Sequence, residues 1–152
     1  MQAASIAELK KALGKLEPVD LLDACLRLAR FKKDNKELLT YLLFLSQDES
    51  QYAKYLCSEI DQQFVDKPFP QKKTIQKMVR WMNKCLRYSG NKETEAEVRI
   101  YFCQSLNDHG VPYRESRVLS NLYQGQIKKI HQSIEKLHED LRFDYRQQMQ
   151  GL

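Results

Sequence analysis

Lys73, Lys77, Arg80, Lys84 and Arg87 recur at intervals of four, three, four and three residues. At 100° per residue that spacing confines five cations to a helical arc of roughly 80°. Trp81 and Tyr88 flank the arc on one side. Cations at this density attract phosphate, and an aromatic ring beside them gives an unpaired base something to stack on, as in single-stranded nucleic-acid sites. Three lysines to two arginines favour attraction to the backbone over the reading of base edges. Ile75, Met78, Val79, Met82 and Leu86 stand opposite the stripe and reserve that face for a core. The competing reading is a solvated helix face, neutralised by acids such as Asp48, Glu59 or Asp61 on neighbouring helices.

His131, Glu135 and His138 form a second constellation, four and then three residues apart, so a continuous helix would carry them on one face. Glu135-Lys136-Leu137-His138 has the E-x-x-H spacing that supplies two ligands in carboxylate-bridged di-iron bundles. That architecture needs a second E-x-x-H, and the chain has none. A single surface metal site on these three residues, or a proton-transfer pair, is what remains of the idea, against a plain boundary role beside an isoleucine and leucine seam. Nucleophile elbows, glycine-rich phosphate loops and H-E-x-x-H are missing. The expectation is therefore a protein that is not an enzyme and carries no cofactor.

The charge is concentrated. Residues 65–90 hold seven Lys/Arg and one acid, whereas residues 1–64 hold nine against ten and residues 91–152 nine of each. All of the excess positive charge thus lies in the segment that contains the stripe. Cys25, Cys57, Cys85 and Cys103 occur singly inside apolar patterns, with no C-x-x-C pair, and read as core thiols in a reducing compartment. Met1-Gln2-Ala3-Ala4 has neither a basic nor an apolar leader region, so the cytoplasm is expected. The longest apolar run is less than half of the ~20 residues a membrane-spanning helix needs.

These residues require helices to hold them. Ser5 and Glu8 make a capping-box pattern before Ile6, Leu9, Leu13 and Leu16. Pro18 restarts the chain, and Val19, Leu22, Cys25, Leu26 and Ala29 line a second helix that is expected to form a hairpin with the first. Asp34 or Asn35 is expected to cap the next. The run Leu38 to Leu45 is apolar except for Thr40, whose hydroxyl can return to a backbone carbonyl one turn earlier, and it predicts a buried hub helix. Asp48 caps a helix bearing Tyr52, Tyr55, Leu56, Glu59, Ile60 and Phe64. Asp66-Lys67-Pro68-Phe69-Pro70 then interrupts regular structure. The basic helix, about 72–88, stops at Gly90. A helix from about Glu93 to Asn107 follows, with Val98, Tyr101, Phe102 and Leu106 as its stripe. From Tyr113 onward one long helix or two, divided at Gly125, carry Ile127, Ile130, Ile134, Leu137 and Leu141. No stretch reads as a strand.

The opening Glu8-Leu9-Lys10-Lys11 with Leu16, the run Asn35-Lys36-Glu37-Leu38-Leu39, the Tyr52 to Phe64 helix ended by a proline-bearing basic loop, and His138-Glu139-Asp140-Leu141 with Asp144-Tyr145 resemble a family of small all-helical bacterial proteins known only as a domain of unknown function. The resemblance implies a helical fold and supplies no activity.

The sequence therefore predicts an all-α single domain over residues 1–152, of seven or eight helices in stacked antiparallel hairpins, as an irregular bundle or a short helical-repeat array. The proline-bearing loop near 66–70 is expected to divide it into two halves. The favoured role is a non-enzymatic protein-interaction or scaffold module with a protein partner. The alternative is sequence-nonspecific RNA or DNA binding through the helix at 72–88, with Trp81 and Tyr88 stacking on bases. No membrane association is expected.

Overall fold

The computed structural model describes residues 1–66 and 70–152. Lys67, Pro68 and Phe69, the middle of the expected interruption, lie outside the described residues. Eight α-helices and no strand occur among the described residues, as the sequence predicts. The chain divides into two compact units, Met1–Leu43 and Phe44–Leu152. The division falls inside the apolar run, not at the proline-bearing loop near 66–70.

The first unit holds α1 (Ile6–Leu13), α2 (Pro18–Phe31) and α3 (Lys33–Thr40). Ser5 caps α1 in the expected reciprocal way: Glu8 N–H donates to its Oγ at 3.3 Å, and its own N–H donates to Glu8 Oε2 at 2.8 Å. Pro18 takes the first position of α2, where a missing N–H costs nothing. The main neighbour of α2 is α3, not the α1 hairpin partner that the spacing suggests. Asn35 does not cap α3. Its Nδ2 donates instead to the Leu28 carbonyl at 2.9 Å and ties α3 to the last turns of α2.

A π-helical turn, Tyr41–Leu45, continues from α3. Thr40 Oγ1 donates to the Lys36 carbonyl at 2.8 Å, the return bond its position predicts. The run is nevertheless not a buried hub. Only Tyr41 is buried, while Leu42, Leu43 and Phe44 are exposed, Phe44 to 74%. An all-apolar helix has no side that needs water, but burial requires other elements to cover it, and that depends on residues distant in sequence.

The second unit holds α4 (Glu49–Asp66), α5 (Lys72–Ser89), α6 (Lys92–Asp108), α7 (Arg117–Ile134) and α8 (Glu139–Met149), with one 3-10 turn at Tyr113–Glu115. Asp48 Oδ1 accepts from Gln51 N–H at 2.9 Å and caps α4. Gly90 ends α5 at φ +67°, a conformation that only glycine adopts without strain. Asn91 caps α6 through Oδ1, which accepts from the N–H groups of Glu93 and Thr94.

The hub of this unit is α6, which packs against α4, α5, α7 and α8. Consecutive positions such as Val98, Arg99 and Ile100, then Phe102 and Cys103, are all buried, so protein surrounds most of the helix, and only the face of Glu93, Glu97, Tyr101, Gln104 and Asp108 is partly open. The unit is thus a bundle about one central helix. Its remaining core comes from Leu56, Ile60 and Phe64 of α4, from the predicted apolar face of α5, and from Ile130 and Ile134 of α7. Gly125 does not divide α7. The break comes at residues 135–138, where the Ile127 to Leu141 seam changes helix.

Candidate functional site

On α5 the core side consists of Ile75, Met78, Val79, Met82, Cys85 and Leu86, and this burial turns the cationic stripe outward. Lys73, Lys77, Arg80 and Arg87 are exposed, and Lys84, Trp81 and Tyr88 are half-buried. None of the four exposed cations has an ion pair among the described residues. Two of the acids that could have neutralised them are engaged elsewhere, Asp48 as the cap of α4 and Asp61 with a tyrosine. Asp61 Oδ2 accepts the Tyr101 hydroxyl at 2.6 Å, and that bond, with burial and the nearby carboxylate charge, pushes the phenol up to about 12. With Gln63 of α4 and Lys77, Met78 and Trp81 of α5, Glu59 lines an open groove of about 140 Å3. Tyr88 is not part of the groove lining.

His131, Glu135 and His138 do not come together as ligands. The α7 helix ends at Ile134, so Glu135 is its C-terminal cap and His138 is the residue before α8, and the helical phase that aligned them is lost. Glu135 Oε1 accepts from Arg146 at 2.6 Å, its Oε2 lies 3.9 Å from Arg142, and these arginines hold the carboxyl below its ordinary range. His138 faces Asp140 at 3.5 Å. Among the described residues no group of three His, Cys, Asp or Glu side chains is placed to hold a metal ion. The E-x-x-H spacing was a coincidence of sequence across a helix end.

Two polar clusters were not anticipated. Arg99, at 3% exposure, donates to Glu95 Oε1 from both Nε and Nη2, and through Nη1 to Asn83 Oδ1 at 2.8 Å and Gln126 Oε1 at 2.6 Å. It thereby joins α5, α6 and α7. Glu49 Oε2 accepts from Ser89 Oγ and Thr94 Oγ1, both at 2.7 Å, and fixes the α5–α6 connection to the start of α4. The Glu95/Arg99 pair one turn apart was the only sequence signal for the first cluster.

The largest departure from expectation is apolar. No side chain of α1, α2 or α3 is buried. On α2, Val19 is 70% exposed, Leu22 58% and Phe31 78%. Cys25, Leu28, Ala29, Leu38, Leu39 and Leu42, with Asn35, line an open groove of about 210 Å3 where α2 meets α3. Scattered exposed leucines are ordinary, but a contiguous apolar surface larger than a few hundred Å2 marks an interaction site. Among the described residues no helix is long and apolar enough to cross a membrane.

The chain matches no protein-family model, no curated protein and no solved structure.

Proposed function

We propose that this protein is a non-enzymatic, cytoplasmic protein-interaction module whose docking surface is the first unit. The observation that carries this reading is that the unit forms three helices yet buries none of their side chains. A segment of 43 residues sits near the lower limit at which a chain can stabilise itself by its own core. A partner surface would complete what the unit lacks. The reading is tested by placing a photo-crosslinking side chain at Leu22 and, as a control, at exposed Gln132, then irradiating intact cells. Discrete protein adducts are expected at position 22 and not at position 132. Equal labelling at both positions would leave the apolar surface without a role.

A second reading, nucleic-acid binding through α5, is favoured by four exposed cations without ion pairs and by Trp81 in an open groove beside Lys77. If about four cations meet phosphates of a duplex, log affinity falls against log salt with a slope of roughly −4. Lys77→Glu/Arg80→Glu should abolish that binding. A flat titration at low salt, with single-stranded RNA and duplex DNA alike, would return the stripe to plain solvation.

A further inference from the structure

The charges on α2 have an order. Asp20 and Asp23 stand in its first half, Arg27 and Arg30 in its second. At 100° per residue all four fall within an arc of about 80°, so they form one stripe, negative at one end and positive at the other. All four are exposed, and none has an ion pair among the described residues, although Asp23 and Arg27 are one turn apart. Beside this stripe runs an apolar one, Val19, Leu22 and Leu26, exposed on the flank between the charges and the side that meets α3.

Reversing the direction of such a helix exchanges its two ends. We propose that α2 docks antiparallel on α2 of a second copy of this chain, with the two-fold axis at the level of Cys25. Asp20 then faces Arg30 of the other copy and Asp23 faces its Arg27, and each pair occurs twice, as an isologous contact requires. The Val19, Leu22 and Leu26 stripes of the two copies pack alongside, because flanks on the same side of the seam meet in an antiparallel pair. A parallel arrangement would set Asp20 against Asp20 and Arg30 against Arg30, which is repulsive. This inference rests on the interaction reading above and names the partner.

Light scattering coupled to size exclusion tests it on the full chain. The wild type should run at twice its 18.0 kDa. Asp20→Arg/Asp23→Arg and Arg27→Asp/Arg30→Asp should each raise the dimer dissociation constant tenfold or more, on the order expected when attractive pairs become repulsive. Mixed in equal amounts, the two variants should recover the doubled mass, which also shows that both are folded. A dimer indifferent to either reversal overturns the pairing. A monomeric wild type that binds an apolar dye, with the dye lost in Leu22→Ser/Leu26→Ser, overturns the second copy as occupant but leaves a foreign protein partner. A monomer that binds no dye has its surface covered within the chain, and then both readings fall.

Discussion

Arg99 Nη1 donates to Gln126 Oε1 across 2.6 Å in the interior of the α6 bundle, a contact between residues 27 apart in sequence. The same guanidinium satisfies Asn83 and Glu95, so one buried charge organises three helices. Removing it leaves Glu95 and two amides short of partners. Arg99→Met should therefore cost about 3 kcal/mol or more, the range seen when one member of a buried charge pair is deleted. A lowered urea midpoint at unchanged slope reports it. Combining Arg99→Met with Glu95→Met and Gln126→Leu should recover much of the loss, since a matched apolar replacement strands no charge.

Glu95 and Glu97 give opposite pH signs. Burial opposes the charge on Glu95, but hydrogen bonds from Lys92 and Arg99 win and hold its carboxyl below the ordinary 4.5. The stability it supplies is present above pH 4.5 and disappears as pH falls through the depressed value. Glu97 is raised above 4.5, by burial first and then by Glu93, with Lys54 only partly compensating. Its charged form costs stability above the raised value, and that cost is relieved as pH falls through it. In urea titrations, Glu95→Gln should weaken the fold at pH 7 and flatten the acid limb. Glu97→Gln should strengthen it at pH 7 and make no difference below pH 4.5.

What could be read from the sequence was local. The Ser5/Glu8 box, the Asp48 cap, the stop at Gly90 and the buried side of α5 each depend on residues within a turn or two of one another. What depends on distant packing is not legible locally. The Leu38 to Leu45 run looked like the hub because it is apolar, whereas the true hub, α6, carries Thr94, Arg99 and Ser105 inside it and so looked amphipathic. Arg99 is affordable there only because Asn83 and Gln126, on other helices, complete it. The end of α7 lacks glycine or proline, so nothing in the local sequence interrupts the helical phase that aligns His131, Glu135 and His138. The start of α8 was marked by Glu139 and Asp140, acids that suit a helix N-terminus.

Two glycines should respond oppositely to the same change. Gly90 holds φ +67°, and although nothing lies within 4 Å of an added methyl group, the backbone itself resists one. Gly90→Ala should cost about 1 kcal/mol. Gly125 lies inside α7 with ordinary helical geometry and the same open space, so Gly125→Ala should gain up to about 1 kcal/mol. Thermal melts of the two variants beside the wild type should bracket it. A loss at Gly125 would mean that the surface there is covered by another molecule.

The thiols should label in a fixed order. Burial pushes Cys57 up to about 12, assisted by the nearby carboxylates of Glu97 and Asp61, and pushes Cys103 up to about 12 against the opposing charge of Arg99. At pH 8 a thiol at about 12 is thiolate in roughly one molecule in ten thousand. Only the thiolate attacks an alkylating reagent, so Cys57 should stay unmodified even though it is not fully enclosed. Cys25, half-exposed in the groove beside α3, is the expected fast site. A short iodoacetamide pulse followed by peptide mass mapping gives the order directly. Rapid labelling of Cys57 would show that the burial that raises its thiol does not hold in solution.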